Sequence, residues 1–199
     1  AIRHLSYLAI GVTLGFFAYL LPLNVWRQTS PWLLMLAFAL LVLVLVPGVG
    51  RVVNGSQRWI PLAGFTLQPS EFAKFALVLW LSGYMVRHGE ELRTVLRGLL
   101  KPILVLILFA LLLLSEPDFG ATVIILGTAF GMLFMGGARL IYVLGLVVSA
   151  VAIMAGMILM APYRMQRLMA YQDPWSDPFG SGFQLIQSLI AYGRGEWLG

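Results

Sequence analysis

The sequence contains no cysteine and has few charged residues. Without cysteine, disulfide bonds and thiolate metal sites are excluded. Charged residues make up only 11% of the 199 residues, whereas hydrophobic residues make up 60%. A water-soluble domain cannot bury that much apolar surface, so that class of protein is excluded as well. The composition indicates an all-α polytopic membrane protein.

Acidic residues are scarce too, with 8 Asp and Glu against 13 Lys and Arg. The basic excess fits anionic lipid headgroups or an anionic substrate. No basic cluster lies on a soluble domain, so nucleic acid is not an expected partner. The chain begins at Ala1 without a signal-peptide pattern and stops at GRGEWLG, and we expect it to be a piece of a longer protein.

Six apolar segments approach the ~20 residues that one membrane crossing requires. They are Leu5–Leu23, Pro31–Pro47, Pro69–Val86, Leu99–Leu114, Phe119–Ala138 and Leu140–Ala161. The fourth is short, so we expect it to borrow residues from the preceding stretch or to end at a shallow depth. The predicted membrane region therefore covers residues 1–162.

Basic residues in the connections divide equally between the two sides of this topology. The dense cluster in Arg87–Lys101 favours a cytoplasmic location for its side. The apolar residues of this stretch share one helical face, as do those of Phe183–Tyr192, so both are predicted to be amphipathic helices in the membrane interface. Asn54–Gly64 is predicted to be a loop because it contains Asn-Gly and Pro.

Glu71 and Lys74 are ionisable residues in the first turns of an apolar helix. In one interpretation they only begin the helix, with Pro69 at its first position, Glu71 at the positive end of the helix dipole and Lys74 snorkelling. In the other they form an ion pair that faces a polar cavity, as intramembrane charges usually do. The second interpretation accounts for both residues together.

Arg58 and Asp118 lie in connections on the predicted outer side. Asp118 could cap the helix that follows Pro117, or its carboxylate could line an outward-facing vestibule, where burial would raise its pKa. Glu116 lies on the other side of Pro117. The Arg58 guanidinium could contact lipid phosphates or bind a pyrophosphate through its planar fork.

Two further pairs of charged residues follow the sixth apolar segment. Arg164 and Arg167, at i and i+3, could hold a pyrophosphate or anchor the helix end in lipid headgroups. Asp173 and Asp177 each precede a proline, which is typical of turns and helix caps. A divalent cation between these aspartates is an alternative with too few ligands.

Three stretches, in this order and spacing, resemble the SEDS family (shape, elongation, division, sporulation). They are NGSQRWIPLAGFTLQPSEFAK, EPDFGAT and APYRMQRLMAYQDPWSDPFGSGFQLIQSLIAYGRGEWLG, which together cover more than half of the chain. DPWSDPFGSGFQLIQSL and GRGEWLG are closer to the division branch of the family than to its elongation branch.

This resemblance implies a fold of ten transmembrane helices, of which the chain would contain the second to the seventh. Residues 163–199 would then begin the large extracellular or periplasmic loop. The implied function is an inverting peptidoglycan glycosyltransferase that polymerises lipid II at the outer face of the bacterial cytoplasmic membrane, at the division site. The family's catalytic aspartate belongs to a Leu-Pro-Glu-x-His-Thr-Asp-Phe motif that this sequence lacks. It is expected beyond Gly199, so the chain alone should be inactive.

The resemblance also implies roles for individual residues and partners. Glu71 and Lys74 match the Gln-Pro-x-Glu-x-x-Lys motif that lines the family's central cavity, and Arg58 and Asp118 match polar positions of the family's loop and of the turn motif that follows. Implied partners are lipid II, the undecaprenyl-pyrophosphate-linked glycan, a class B penicillin-binding protein and other division proteins. The alternatives are a transporter of lipid-linked precursors and a division scaffold. A transporter should have a polar path to the cytoplasmic face, whereas the cytoplasmic halves of these segments are apolar.

Overall fold

The structure is a computed structural model that describes residues 2–53, 56–62, 65–94, 97–160, 173–180 and 182–194. It divides into two compact units, Ala1–Leu144 and Gly145–Gly199. The described helices are α1 (Ile2–Leu20), α2 (Leu23–Leu45), α3 (Pro69–Arg87), α4 (Gly89–Thr94), α5 (Arg97–Ser115), α6 (Phe119–Met135), α7 (Leu140–Leu159) and α8 (Phe183–Arg194). Three short strands lie between α2 and α3: β1 (Arg51–Val53), β2 (Ser56–Leu62) and β3 (Phe65–Leu67).

Each of the six predicted apolar segments corresponds to a helix, and the all-α membrane fold is confirmed. Among the described residues, α2, α5 and α7 are long and apolar enough to cross a membrane. The apolar parts of α1 and α6 are shorter, and α3 carries Glu71, Lys74 and Arg87. The number of crossings therefore stays a prediction.

Helix α2 begins at Leu23 instead of the predicted Pro31, so NVWRQTS is helical and not a connection. Pro31 lies inside the helix and has no N–H to donate to the carbonyl of Arg27, one turn earlier. The hydroxyl of Ser30 donates to that carbonyl instead, at 3.2 Å. This hydrogen bond explains how the helix continues through a residue that usually interrupts one.

Helix α5 begins at Arg97 and runs for 19 residues, so the short fourth segment borrows residues from the preceding stretch, as expected. Its Pro102 likewise leaves the carbonyl of Gly98 without a helical donor, and the hydroxyl of Tyr84 in α3 donates to it at 2.8 Å. The single amphipathic helix predicted for Arg87–Lys101 is therefore wrong. That stretch contains the end of α3, the separate helix α4 and the beginning of α5.

The predicted loop at Asn54–Gly64 is also wrong over most of its length, because Ser56–Leu62 forms the central strand of an antiparallel sheet. Strand β2 pairs with β1 and with β3, for example Ile60 opposite Leu67. The Asn-Gly pair between β1 and β2 is a strong sequence signal for a hairpin. Val53 of β1 pairs with Ser56 of β2 on either side of that dipeptide, so the flanking residues are strands instead of loop.

The connections between the helices of the first unit form two groups, one at each end of the helices. At one end, which we call the sheet end, Gln57 Nε2 in β2 donates to the carbonyl of Val46 after α2, at 3.1 Å. The sheet end also contains the start of α3 and the α5–α6 turn. At the opposite end, the α4 end, Arg139 Nε donates to the carbonyl of Arg93, at 3.3 Å. Among the described connections of the first unit, the sheet and the α5–α6 turn thus lie at one end, and α4 and the α6–α7 connection lie at the other.

The second unit contains one turn of 3₁₀ helix, Pro174–Ser176, followed by α8. The N–H of Gly182 donates to the carbonyl of Asp177, at 3.1 Å, and Ile186 of α8 is buried. The helix predicted at Phe183–Tyr192 is present and extends to Arg194. Its position in the membrane interface stays a prediction.

Close packing at Gly98 gives a test of the α4 end. A Cβ on Gly98 would lie 2.6 Å from the carbonyl carbon of Glu91, so α4 can approach α5 only because this residue has no side chain. We expect Gly98→Ala in the full-length protein to lower the free energy of unfolding by about 1–3 kcal/mol, as overpacking does. Denaturant titration in detergent measures the change.

Gly127→Ala is the matched control, since nothing lies within 4 Å of a Cβ at that position in α6. It should be neutral or stabilising by up to about 1 kcal/mol, because alanine favours a helix. Equal effects of the two substitutions would contradict the packing of α4 against α5.

Candidate functional site

Asp118 is the buried centre of the polar contacts at the sheet end. Its side chain is only 4% exposed. Oδ2 accepts hydrogen bonds from Ser70 Oγ at 3.0 Å and Gln68 Nε2 at 3.4 Å, and Oδ1 accepts one from the N–H of Ala121 at 3.3 Å. Arg58 Nη1 lies 3.6 Å from Oδ1. One carboxylate therefore connects β2, the start of α3 and the start of α6.

Asp118 occupies the N-cap position of α6, which is the capping interpretation of the sequence. Its bond to Ala121 satisfies one of the backbone N–H groups that a helix start leaves without a partner. The remaining contacts are to side chains far away in the sequence. Its role as a carboxylate lining a vestibule stays a prediction.

Arg58 in β2 is hydrogen-bonded to the α5–α6 turn. Nε donates to the carbonyl of Glu116 at 3.2 Å, and Nη2 donates to the carbonyl of Pro117. The guanidinium thus contacts two backbone oxygens and the Asp118 carboxylate, so it fixes the sheet to the turn. All of these contacts are within the protein. The predicted binding of a pyrophosphate by Arg58 stays a prediction.

Glu116 is the most unusual group at the sheet end. It is 1% exposed, and neither carboxyl oxygen has a hydrogen-bond partner among the described residues. Burial raises the pKa of Glu116 from 4.5 to about 8; the neighbouring Asp118 carboxylate adds to this shift, and the Arg58 guanidinium opposes it. At neutral pH this carboxyl group is therefore mainly protonated.

Glu71 and Lys74 form an ion pair, with Lys74 Nζ 2.6 Å from Glu71 Oε2. The predicted pairing is present, and so is Pro69 in the first turn of α3, so the two interpretations of this segment are compatible. The Glu71 side chain is 61% exposed and that of Lys74 is 23% exposed. Whether the pair faces substrate stays a prediction.

Lys74 lines an open cleft between α3 and α6, which we call the Lys74 cleft. The cleft is small and open to solvent. Its other walls include Leu77, Leu81, Ile125 and Met132. Lys74 follows Ser70 by four residues on the same face of α3, and the rise of the helix places it about 6 Å further from the sheet end. Lys74 thus begins one helical turn beyond the Asp118 contacts, and it lines a cleft with mainly apolar walls.

The remaining predicted site residues lie away from these contacts or outside the described residues. Arg164 and Arg167 are outside the described residues. Asp177 Oδ1 accepts a hydrogen bond from the N–H of Gly180, at 3.1 Å, which is turn chemistry. The described residues contain no group of three potential metal ligands among His, Cys, Asp and Glu. Asp173 and Asp177 alone do not fit a Ca²⁺ or Mg²⁺ site.

Gln68 and Ser70 are site residues that the sequence analysis missed. They flank Pro69 and bind Asp118, which lies far away along the chain. Their position could have identified them, because they are polar residues within three positions of Glu71 at the start of an apolar helix. Nothing in the sequence identified Asp118 as their partner.

The raised pKa of Glu116 predicts a pH dependence of stability. The folded protein binds this proton more tightly than the unfolded chain, so the stabilisation is fully present below pH 4.5 and is lost as the pH rises towards 8. Glu116→Gln in the full-length protein should remove this dependence. The wild type should lose stability relative to the variant by at most about 5 kcal/mol between acidic and alkaline pH.

Thermal unfolding midpoints of both proteins at acidic, neutral and alkaline pH measure this difference. Glu91→Gln, which removes an exposed carboxylate on α4, is the control and should track the wild type at every pH. A constant offset between wild type and Glu116→Gln across the series would show that Glu116 ionises normally.

Comparison with known proteins identifies the family. The family model described as cell cycle protein, for FtsW, RodA and SpoVE, matches residues 1–199. A probable peptidoglycan glycosyltransferase FtsW from Pseudomonas fluorescens is 51% identical over 199 residues, which are 100% of this chain and 49% of that protein. Its counterpart from Marinomonas mediterranea is 49% identical over 197 residues, 99% of this chain and 48% of that protein. The chain thus spans about half the length of these relatives.

Solved structures agree with the sequence comparison. A chain from a peptidoglycan synthase complex that coordinates polymerization and crosslinking has a TM-score of 0.75 and 29% identity, covering 96% of this chain and 56% of that chain. The rod shape determining protein RodA of Thermus thermophilus has a TM-score of 0.64 and 30% identity, covering 76% of this chain and 49% of that chain. The multi-pass helical fold, the motifs and these matches lead to one conclusion: the chain belongs to the SEDS family of FtsW, RodA and SpoVE cell cycle proteins.

Proposed function

We propose that the full-length protein is an inverting peptidoglycan glycosyltransferase that polymerises lipid II at the outer face of the bacterial inner membrane during cell division. Two relatives that share about 50% sequence identity with this chain over nearly its whole length are named probable peptidoglycan glycosyltransferases. The observation that carries the proposal within this chain is the Glu71–Lys74 ion pair beside the Lys74 cleft.

The proposed reaction needs a base and a positive charge. A sugar 4-hydroxyl attacks the anomeric carbon of the growing chain, its proton passes to a base, and the bond to undecaprenyl pyrophosphate breaks with both electrons on the departing oxygen. An α-linked donor gives a β-linkage, so the configuration inverts. The base is the aspartate expected beyond Gly199, and cationic groups stabilise the departing pyrophosphate.

Lys74 is our candidate for this cationic role. Its ammonium group lies next to apolar walls, where an interaction between charges is stronger than in water. Glu71 contacts it at 2.6 Å, which fixes the direction of the side chain. The proposed role of Glu71 is therefore to position Lys74.

The Asp118 contacts support this role indirectly. Ser70, which donates to Asp118, precedes Lys74 by one helical turn on α3, so the orientation of α3 depends on the same contacts that hold the sheet. In this proposal Arg58 and Asp118 are positioning residues. Arg164 and Arg167 are proposed to bind the pyrophosphate on the outer side.

We also propose that the full-length protein acts with a class B penicillin-binding protein and other division proteins. The support is a structural neighbour that belongs to a complex coordinating polymerization and crosslinking. Glycan strands made by a polymerase need crosslinking, so a transpeptidase partner fits the proposed chemistry. The transporter function is the competing proposal, and the following experiment separates the two.

Lys74→Ala in the full-length protein should lower the rate of lipid II polymerisation by roughly a hundredfold, the usual cost of removing one charge-stabilising group. The assay uses the purified complex with the penicillin-binding protein and separates glycan products by gel electrophoresis. Thermal unfolding of the variant should remain close to that of the wild type, because Lys74 is partly exposed.

Lys101→Ala is the matched control, since it removes an exposed lysine at the opposite end of the first unit. It should leave the rate within about twofold, in the range expected for an exposed surface charge. Full activity of Lys74→Ala would contradict the proposed role and would indicate that Lys74 only snorkels to the membrane interface. A wild-type complex that moves lipid II across vesicles without polymerising it would favour the transporter.

A further inference from the structure

Two arginines, one in α4 and one in the α6–α7 connection, meet at the α4 end of the first unit. Gly137, in the α6–α7 connection, has φ +91°, and a Cβ there would lie 2.8 Å from Nε of Arg93. The Arg93 side chain thus lies across Gly137. Arg139 Nε donates to the backbone carbonyl of Arg93, at 3.3 Å. The two side chains are therefore held in one place by a hydrogen bond and by the absence of a side chain at Gly137.

This arrangement concentrates positive charge. Arg93 and Arg139 are both exposed, and their like charges repel each other. The described acidic residues of α4 are Glu90 and Glu91. Further basic residues in the adjoining helix ends outnumber them: Arg87 at the end of α3, and Arg97 and Lys101 at the start of α5. An anion that contacts both guanidinium groups would offset the repulsion and use their planar geometry.

The surroundings of the pair favour a lipid as the source of that anion. Met135 at the end of α6 is 81% exposed, and Ile141 at the start of α7 is 69% exposed. Arg139 lies between these two apolar residues in the sequence, at the start of a helix apolar enough to cross a membrane. A phosphate with acyl chains can contact both the arginines and the apolar surface, whereas free phosphate or an acidic peptide uses only the charges.

We propose that Arg93 and Arg139 form a binding site for the headgroup phosphate of an anionic phospholipid, whose acyl chains lie along Met135 and Ile141. Basic pockets between membrane helices are suited to such headgroups. The site lies at the opposite end of the first unit from Asp118. It does not depend on the proposed glycosyltransferase function.

The test measures phosphatidylglycerol binding to the full-length protein in detergent by native mass spectrometry. Arg139→Gln should weaken the tightest phosphatidylglycerol binding by about fivefold, and Arg93→Gln with Arg139→Gln by about thirtyfold, from the usual contribution of one basic residue near an anionic lipid. Phosphatidylcholine should bind equally weakly to wild type and variants.

Arg27→Gln is the matched control, because it removes another exposed arginine, and it should change the affinity by less than about twofold. Replacing both arginines by lysine keeps the charge but loses the planar guanidinium groups, so it should retain more binding than the glutamine variants but less than the wild type. If the double glutamine variant does not fold, Arg139→Gln and the lysine variant decide the question.

The proposal is overturned if the glutamine variants bind phosphatidylglycerol as the wild type does, or if Arg27→Gln weakens binding equally. It is also overturned if millimolar inorganic phosphate displaces the lipid completely, since the site then recognises phosphate alone. Binding of hexaglutamate at these arginines in preference to phosphatidylglycerol would assign the surface to an acidic peptide and would likewise reject the lipid.

Discussion

A single buried carboxylate, that of Asp118, determines how the sheet end is assembled. A carboxylate removed from solvent is costly unless it is paired and hydrogen-bonded, and Asp118 meets that requirement with groups from three elements: Arg58, Ser70 and Ala121. Each contact constrains a different part of the chain. The position of Lys74 follows from them, because it lies one turn beyond Ser70 on α3.

Glu116 shows what happens to a buried carboxyl group that lacks such partners. Its carboxyl group is as buried as that of Asp118 but has no hydrogen-bond partner among the described residues. Burial therefore raises the pKa of Glu116 until the neutral form prevails. With Glu116 protonated, Arg58 has one charged partner, Asp118, and the charges of this cluster balance.

The apolar runs and local spacings could be predicted from the sequence. Helix α3, the capping role of Asp118 and the ion pair at i and i+3 all depend on residues close together along the chain. The contacts of Arg58 with the α5–α6 turn could not be predicted, because its partners lie about 60 residues away and no local pattern identifies them. Tyr84 illustrates the same limit. Pro102 indicates that the carbonyl of Gly98 lacks a helical donor, but only the packing of α3 against α5 shows that the Tyr84 hydroxyl is the donor.

The most direct test of this account is a double-mutant cycle between Arg58 and Asp118 in the full-length protein. Unfolding free energies would be measured for Arg58→Gln, Asp118→Asn and the double variant by denaturant titration in detergent. If the two side chains hold the sheet end together, the double variant should be more stable than additivity predicts by about 1 kcal/mol or more. Additivity within about 0.5 kcal/mol would contradict a coupled cluster at Asp118.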